Sequence, residues 1–383
     1  MNFDFNEDQL AIIDAAKAFI DAELKPYIEE IDETDHLPGG EQFLKKAGDA
    51  GIIGLAFPEE YGGSAMGVET IMSVYEEFAK VVPGAAIAIA TSLAGMEIIR
   101  KHGSQEQKDK YLPPCVTGDL VSGMGFTEPG TGSDPKQLET TARDEGDYYV
   151  LNGVKRFMTN AAYPGPMIIY AKDADDGRCS AYIVDKFCEG YSLSSKWDKI
   201  GFNGSPVYDI FLDDVKVPKS NRVGAKGYGF NILLSESAVG KMVHGAISLG
   251  IMETSRDLAI RYAKEKLHRD KPITKFPSIQ MKIADICMYT ESIRWMTYKC
   301  AHLADIDTMS EEFKAYAAML KTYAADTMPM VVLKCMNILG AYGPMKEYHV
   351  ERYMRDALME PHIEVVSDVQ RLITAKYYID QAK

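Results

Sequence analysis

The chain has 383 residues, of which 46% are hydrophobic and 26% charged, and its formal net charge is −14. This length and composition allow two or three globular domains with sizeable cores. The acidic balance disfavours a nucleic-acid-binding protein, which carries a basic face, but it permits an anionic small ligand held by local Lys or Arg residues.

The first region in chain order, residues 1–119, has the periodicity of amphipathic helices. In the stretch EDQLAIIDAAKAFIDAEL, the residues Leu10, Ile13 and Ala16 fall on one apolar stripe with charged residues opposite. The turn sequence EEYGG ends a second helical segment, and helical spacing resumes in ETIMSVYEEFAKV. We predict an N-terminal helical domain here.

The second region, residues 120–227, has the composition of β-strands. Short runs rich in β-branched and aromatic residues, such as PMIIYAK, SAYIVDK and VYDIFLDDVKVP, are separated by Gly, Asn and Asp. This pattern predicts an antiparallel β-domain of about a hundred residues, which is an ordinary domain size.

The third region, residues 228–383, returns to helices. Two long stretches beginning at FPSIQMK and at EEFKAYA carry apolar residues at three- and four-residue spacing on wide faces. Helices of this kind are buried on more than one side, as in a bundle or an oligomer. The order helical, β, helical therefore indicates an α+β fold.

The cysteines, the histidines and the N-terminal sequence indicate the cellular compartment and the kinds of site that the protein has. The six cysteines form no CxxC pair, and neither they nor the seven histidines have metal-ligand spacing. The N-terminal MNFDFNEDQL is acidic without an apolar segment, and the weakly polar run 83–96 is too short to span a bilayer. We predict a cytoplasmic protein with reduced thiols, no metal site and no stable membrane insertion.

A glycine-rich loop, GMGFTEPGTGSD, opens the β-region at Gly123. Its glycines and hydroxyl side chains leave backbone N–H groups free to approach a flat or anionic ligand. The sequence lacks the GxxxxGK[ST] and GxGxxG phosphate-binding patterns. Composition alone favours a plain glycine-rich turn.

Near the C-terminus, RDALMEPHIEVVSDVQRL carries two carboxylates four residues apart. Glu364 is flanked by apolar residues, whereas Glu360 precedes Pro361 and is expected to be solvent-exposed. Ser367 and Gln370 fit a capping box for the helix that follows. The residues alone favour a surface glutamate that caps this helix, stabilised by its dipole.

Five motifs together resemble the acyl-CoA dehydrogenase family, over essentially the whole chain. They are, in order, GFTEPGTGSD, LNGVKRFMTNA, FLDDVKVP, ILGAYG and RDALMEPHIEVVSDVQRL. The resemblance implies a helical domain (1–119), a β-domain (120–227) and a helical bundle (228–383), assembled as a homotetramer with FAD.

The resemblance also implies which residues hold the cofactor FAD. The stretch around Asn337 would contact FAD from a neighbouring subunit, and Ser133 would also reach the pantetheine of the CoA ester. The implied FAD contacts are Met124, Phe126, Thr127, Gly132, Ser133, Phe157, Thr159, Lys266, Asn337, Gly340, Val366 and Asp368.

Glu364 matches the catalytic base of the family. Dehydrogenating a thioester removes the α-proton as the β-hydride leaves to flavin N5, and apolar neighbours would exclude water and raise the pKa of the carboxyl towards the working range. Some members place the base on an earlier helix, at the position of Gly240 here. No rival carboxylate stands at that position, which strengthens the assignment to Glu364.

Several departures from the family pattern bear on the ligands. Val365 and Val366 stand where Gly-Thr is usual, which stiffens and reshapes the pocket beside the thioester. Lys241 and Lys266 each replace an Arg, keeping the charge but losing its bidentate fork. Arg269 and Pro277 replace a Phe and a Gln that usually line the FAD adenosine.

The resemblance implies an acyl-CoA dehydrogenase that passes electrons to an electron-transfer flavoprotein. Its substrate contacts would include Ser133, Gly240, Lys241 and Val365, with Thr91 at the acyl end, where small side chains favour a compact, branched or alicyclic acyl group. Two alternatives stay open, an enoyl-CoA reductase running in reverse and a non-catalytic relative that serves as an assembly protein.

Overall fold

The computed structural model describes residues 5–132 and 137–382, and its first part is helical. Helix α1 begins with a capping box, because the Asn6 side chain accepts from the Gln9 backbone N–H while the Gln9 side chain caps Asn6 in return. Helix α5 begins at Pro83, whose missing N–H costs nothing at a first turn. The helices are α1 (Glu7–Glu23), α2 (Ile28–Thr34), α3 (Glu41–Asp49), α4 (Val68–Val81), α5 (Pro83–His102) and α6 (Gln105–Val116).

A sheet of eight strands follows in the described part of the chain. Its main path runs β6-β7-β3-β2-β4-β5-β8, and β1 pairs with β4. Most pairs are antiparallel, as predicted, but β1 and β2 both run parallel to β4. The strands are β1 (Gly123–Gly125), β2 (Thr141–Asp144), β3 (Tyr148–Thr159), β4 (Pro166–Asp173), β5 (Cys179–Asp185), β6 (Tyr191–Leu193), β7 (Val207–Pro218) and β8 (Arg222–Val223).

The two faces of the sheet pack against different cores. Ile168, Tyr170 and Ile183 join the large apolar cluster that also contains the N- and C-terminal helices. Met167 and Ile169 point the other way into a second cluster made by the strands themselves. This alternation follows from the two-residue period of a strand, and it fixes one face of the sheet against the helices.

Helices return after the sheet. Helix α7 is 37 residues long and carries buried residues along most of its length. It contacts α4, α5, α8 and α9, so it forms the axis of the bundle. The elements are α7 (Gly229–Glu265), the hairpin β9 (Leu267–His268) and β10 (Lys271–Pro272), α8 (Pro277–Ile306), α9 (Glu311–Leu339), α10 (Val350–Met359) and α11 (Ser367–Gln381).

The structure also bears on the state of the cysteines and on membrane-spanning helices. All six cysteines, each within the described residues, carry free thiols. Among the helices of the described residues, none combines the length and apolar character needed to cross a membrane.

Candidate active site

The segment after α10 carries Glu364 in an unusual backbone conformation. A 3₁₀ turn covers Glu360–His362, and Glu364 has φ +63°, in the left-handed region that non-glycine residues rarely adopt. Its side chain is exposed in the single chain. The expectation that apolar neighbours shield Glu364 from water is therefore wrong for this chain alone, because Val365 and Val366 flank it without covering it.

The Glu364 carboxylate lies against Gly240 of α7. A Cβ added at Gly240 would lie 3.0 Å from Glu364 Oε1 and 3.3 Å from the carboxylate carbon. The predicted base and the alternative position considered for it, Gly240, thus face the same point in space. Glycine at 240 leaves that point to Glu364.

Lys241 is the next residue on α7 and is buried. Its Nζ donates to Ser237 Oγ at 3.2 Å. Burial lowers the pKa of the Lys241 ammonium, and attraction to the Glu364 carboxylate only partly offsets this. Lys241 thus places a cation next to the position that Glu364 occupies.

Glu360 is fully buried, so the prediction that it is solvent-exposed was wrong. Lys321 Nζ donates to its Oε1 and to its backbone oxygen, each at 2.6 Å, and His244 Nδ1 lies 3.0 Å from its Oε2. Burial opposes ionisation, but His244 and Lys321 outweigh it and hold the pKa of Glu360 below its usual range. Sequence reasoning missed these partners because they lie 39 and 116 positions away along the chain.

The capping box predicted at Ser367 is also wrong. Helix α11 begins at Ser367 itself, which shifts the N-cap to Val366 and leaves no side-chain cap. Ser367 Oγ and the side-chain amide of Gln370 are buried and find no hydrogen-bond partner within the described part of the chain. Val366 and Asp368 are exposed, and Asp368 pairs with Arg371 at 2.9 Å.

The glycine-rich loop begins on β1 and packs against α7. Met124 pairs with Ile168 in the parallel ladder. The Phe126 ring meets Tyr170 and Phe230 edge-on, at centroid distances of 5.8 and 6.3 Å. Thr127 is half-buried and Gly132 is exposed, whereas Ser133 lies outside the described residues.

A buried ion pair that the sequence prediction missed holds this loop. Lys155 Nζ on β3 lies 2.6 Å from Glu128 Oε1, and both side chains are almost completely inaccessible. Glu128 also accepts from the backbone N–H groups of Glu139 and Thr140, at 2.5 and 3.0 Å. Burial lowers the pKa of Lys155 to about 8 despite its acidic partner. The two-residue period, which puts Lys155 in phase with buried Leu151, was the available signal.

Phe157 projects from a β-bulge. The β3–β7 register shifts between Lys155 and Met158, and Phe157 has φ +62° and is 52% exposed. Bulges re-aim side chains in this way. The Phe157 ring meets Trp197 edge-on at 5.3 Å, and Arg156 lies over both rings.

Asp209 holds this aromatic pair, and sequence reasoning missed both Asp209 and Trp197. Its carboxylate accepts from Trp197 Nε1 at 2.9 Å and from Arg156 Nε at 3.1 Å. Thr159, two residues beyond Phe157, is half-buried opposite Val207. An exposed aromatic face therefore lies at the end of β3, at a fixed orientation.

The proposed acyl-chain helix is tied to the same strand. Asn160, which follows β3, donates from Nδ2 to the Ala88 carbonyl of α5 at 2.9 Å. Ala90 and Thr91 lie half-buried on a face of α5 that the core does not fully cover. Helix α5 also packs on β1, the strand on which the glycine-rich loop begins.

Lys266, Asn337 and Gly340 form a second group at the far end of α7. Lys266 Nζ lies 5.5 Å from the ring centroid of Tyr342, two residues beyond Gly340. Asn337 and Gly340 are exposed. Gly240 and Glu265 are 25 residues apart (265 − 240) on one helix, which at 1.5 Å per residue separates the two groups by roughly 38 Å.

Arg269 and Pro277, the two departures expected beside the FAD adenosine, lie at this corner. Arg269 is exposed at the tip of the β9–β10 hairpin, and Pro277 begins α8. An aromatic contact does exist beside them, since the His268 ring meets Phe276 edge-on at 5.5 Å. Within residues 5–132 and 137–382, no group of three or more His, Cys, Asp or Glu is arranged to hold a metal ion.

Comparison with known proteins gives matches along the whole chain. Sequence profiles of the N-terminal, middle and C-terminal domains of acyl-CoA dehydrogenases match residues 6–119, 123–215 and 227–379. The caffeyl-CoA reductase-Etf complex subunit CarC of Acetobacterium woodii is 36% identical over 375 residues, which cover 96% of this chain and 97% of that protein.

Two solved structures share the architecture. Butyryl-CoA dehydrogenase of Megasphaera elsdenii superposes with a TM-score of 0.94 at 31% identity, covering 99% of this chain and 100% of that one. Acyl-CoA dehydrogenase of Bacillus anthracis, complexed with FAD, gives a TM-score of 0.91 at 31% identity and covers 99% of this chain and 68% of that one.

Proposed function

The chain belongs to the acyl-CoA dehydrogenase family of oxidoreductases, and we propose that it is an FAD-dependent enzyme that oxidises an acyl-CoA to the α,β-enoyl-CoA. The reaction removes a proton from Cα and a hydride from Cβ of the thioester. Bound FAD would supply the hydride acceptor. The protein must supply a base for the proton and a pocket that holds Cα beside that base.

The observation that carries this proposal is the Glu364 carboxylate lying over Gly240. No hydrogen bond or ion pair with a described residue engages it, so its oxygens are free to accept a proton. A bound acyl-CoA would displace water from this exposed carboxylate, and desolvation raises a carboxyl pKa towards the range in which it acts as a base. Lys241, the next residue after Gly240, places a cation near this carboxylate.

The residues at the glycine-rich loop fit a flavin. Phe157 offers an exposed aromatic face on which a flat ring system could stack. The Thr131 hydroxyl is buried and finds no partner among the described residues, and a Cβ added at Gly132 would meet no atom of those residues within 4 Å. Both features leave donors and room for a ligand. We assign the isoalloxazine half of FAD to Met124, Phe126, Thr127, Gly132, Ser133, Phe157, Thr159, Val366 and Asp368.

The other half of FAD is assigned to Lys266, Asn337 and Gly340 of a second subunit. The separation of roughly 38 Å along α7 supports this, because one chain would have to bind a single FAD at both ends of a long helix. Exposed apolar side chains at seven-residue spacing along α8, Met281, Met288 and Trp295, supply a surface for association of subunits. We propose a homotetramer.

The proposed substrate is a short or compact acyl-CoA. Thr91 and Ala90 leave room on α5, whereas Val365 adds stiff bulk beside the thioester. Similarity to butyryl-CoA dehydrogenase supports a short acyl group. Substrate contacts are assigned to Ser133, Gly240, Lys241, Val365 and Thr91, and the acyl group extends towards α5.

The electron partner is proposed to be an electron-transfer flavoprotein. The relative from Acetobacterium woodii is named as a subunit of a reductase-Etf complex, which supports both this partner and the reverse reaction, reduction of an enoyl-CoA. The same base serves both directions, since Glu364 would return the proton to Cα. The free Glu364 carboxylate disfavours a non-catalytic assembly protein. The free thiols fit a cytoplasmic location.

A spectroscopic experiment tests the proposal. The purified protein should be yellow with FAD and should sediment as a tetramer. Adding a short acyl-CoA without oxygen should bleach the flavin, and adding an enoyl-CoA to the reduced protein should restore the colour. A screen of straight, branched and alicyclic esters, ranked by bleaching rate, identifies the substrate. Protein that cannot be loaded with FAD, or loaded protein that no ester bleaches, would refute the function.

A further inference from the structure

Three ionisable side chains from three parts of the bundle meet beside the segment that carries Glu364. They are His244 of α7, Lys321 of α9 and Glu360, which we call the Glu360 cluster. Lys321 and Glu360 are fully buried, and only 12% of the His244 side chain is accessible. The reaction proposed above uses none of the three directly.

Lys321 holds both the side chain and the backbone of Glu360. Its ammonium donates to Oε1 and to the carbonyl oxygen of the same residue. Two bonds from one group fix the chain at this residue in position and direction. Only three residues separate Glu360 from Glu364, Pro361 has a fixed φ, and Glu364 has φ +63°. Little freedom then remains in where the Glu364 carboxylate can lie.

His244 connects the cluster to the surface on which Glu364 rests. It stands four residues after Gly240 on α7, so both lie on one helix face, roughly 6 Å apart along the axis. His244 Nδ1 therefore binds Glu360 one turn away from the place where Glu364 lies against Gly240. The same side of α7 therefore contacts both Glu360 and Glu364.

Stability alone accounts poorly for this arrangement. A buried ion pair is often replaceable by apolar residues of similar volume without loss of stability. We propose that the Glu360 cluster positions the Glu364 carboxylate over Gly240, with His244, Lys321 and Glu360 as positioning residues that act through Glu364. This inference rests on the proposed role of Glu364 as the base.

A matched pair of substitutions at His244 tests the inference. An ionised carboxylate only accepts hydrogen bonds, so His244 Nδ1 carries the proton it shares with Glu360. His244→Leu removes this donor, whereas His244→Asn keeps an N–H donor near the same place. A misplaced base slows chemistry, so His244→Leu should reduce the rate of flavin reduction at saturating acyl-CoA by about 10- to 100-fold. Its FAD content and acyl-CoA dissociation constant should be unchanged, and His244→Asn should restore most of the rate.

The same substitution made in Glu364→Gln protein distinguishes a failure of this inference from a failure of the proposed function. In Glu364→Gln protein the positioned base is already absent, so adding His244→Leu should cause no further loss of rate. If Glu364→Gln alone keeps the wild-type rate, the proposed function fails. If Glu364→Gln is slow but His244→Leu is fast, only the positioning role fails.

Several other outcomes would also contradict the positioning role. Equal slowing by His244→Leu and His244→Asn, or a full additional loss in the Glu364→Gln background, would overturn the inference. So would a lower Tm with an unchanged reduction rate, which would mark the cluster as structural. Where His244→Leu does not fold, the paired change Lys321→Met with Glu360→Leu replaces the ion pair by apolar volume. That variant should keep its Tm and lose rate, and a retained rate would contradict the positioning role.

Discussion

The glycine-rich loop and the segment that carries Glu364 are both attached to the core by a buried lysine–glutamate pair, but the two pairs are completed differently. Glu128 gives its remaining acceptor capacity to two backbone N–H groups, whereas Glu360 gives it to His244. The first pair fixes the path of the backbone. The second ties a side chain of α7 to the segment that holds the proposed base. The same type of ion pair therefore lies beside the proposed flavin-binding loop in one region and beside the proposed base in the other.

The largest expected effect comes from removing the reactive group and leaving both ion pairs in place. Glu364→Gln keeps the shape of the side chain but not its basicity. A positioned general base contributes roughly 10²–10⁴-fold, so flavin reduction by acyl-CoA should slow by that order. Stopped-flow absorbance of the flavin measures this step. The exposed Glu312→Gln serves as the control and should reduce at the wild-type rate. A Glu364→Gln protein that bleaches at a similar rate would show that the base lies elsewhere.

Breaking each pair by removing its lysine should give the next largest effect. Lys155→Met and Lys321→Met each leave a buried carboxylate without its cation, which costs roughly 3–5 kcal/mol of unfolding free energy. The comparison predicts a difference in ligand binding, since Lys155→Met should lose FAD while Lys321→Met should retain it. Denaturant unfolding and the flavin content of the purified proteins measure both effects. The exposed Lys25→Met should change neither. Equal loss of FAD in both variants would contradict the division of roles.

A smaller effect is expected from Gly240→Ala. Alanine is about 1 kcal/mol more favourable than glycine inside a helix, so the Tm should not fall. Its Cβ would lie 3.0 Å from Glu364 Oε1, and the flexible carboxylate must move by a few tenths of an ångström. We expect flavin reduction to slow only several-fold, since a full 1 Å displacement can cost about 100-fold. An unchanged rate with a raised Tm would show that the carboxylate tolerates the shift.

The smallest expected effect is on the pH dependence of the unfolding free energy under acidic conditions. The pKa values of Glu128 and Glu360 are both held below the usual range, so each pair contributes stability that is present above the ordinary pKa of Glu, about 4.3. That stability is lost as the pH falls through the lowered pKa values. The double variant Lys321→Met with Glu360→Leu should therefore lose less stability than wild type below about pH 4. The unfolding free energies of wild type and of the double variant should be measured between pH 3 and pH 6. If the pair makes no such contribution, the two free energies will depend on pH with the same slope.

Some of this organisation could be predicted from the sequence and some could not. The order helical, β, helical follows from local periodicity, and Glu364 and Gly240 were assigned from the register of short motifs. The burial of Glu360 depends on Lys321 and His244, which no local pattern connects to it. A residue next to a proline looks exposed when only its neighbours are considered. Contacts with residues that are distant in the sequence therefore determine the burial of Glu360.

Other differences between prediction and structure also have identifiable physical causes. The capping box at Ser367 failed because α11 begins one residue earlier than that motif requires. The parallel pairing of β1 and β2 with β4 depends on long connections, about which the alternation within a strand carries no information. The exposed Phe157 depends on a bulge, and a bulge is a property of two strands together.

The 37-residue helix α7 also sets the distance between the two groups of residues that are proposed to contact FAD. It contacts the glycine-rich loop at Phe230, lies under Glu364 at Gly240 and ends beside Lys266. Deleting one residue between Gly240 and Lys266 would turn one end relative to the other by about 100° and shorten the helix by about 1.5 Å. A change in the length of α7 between Gly240 and Lys266 would therefore alter both the distance and the angle between its two ends.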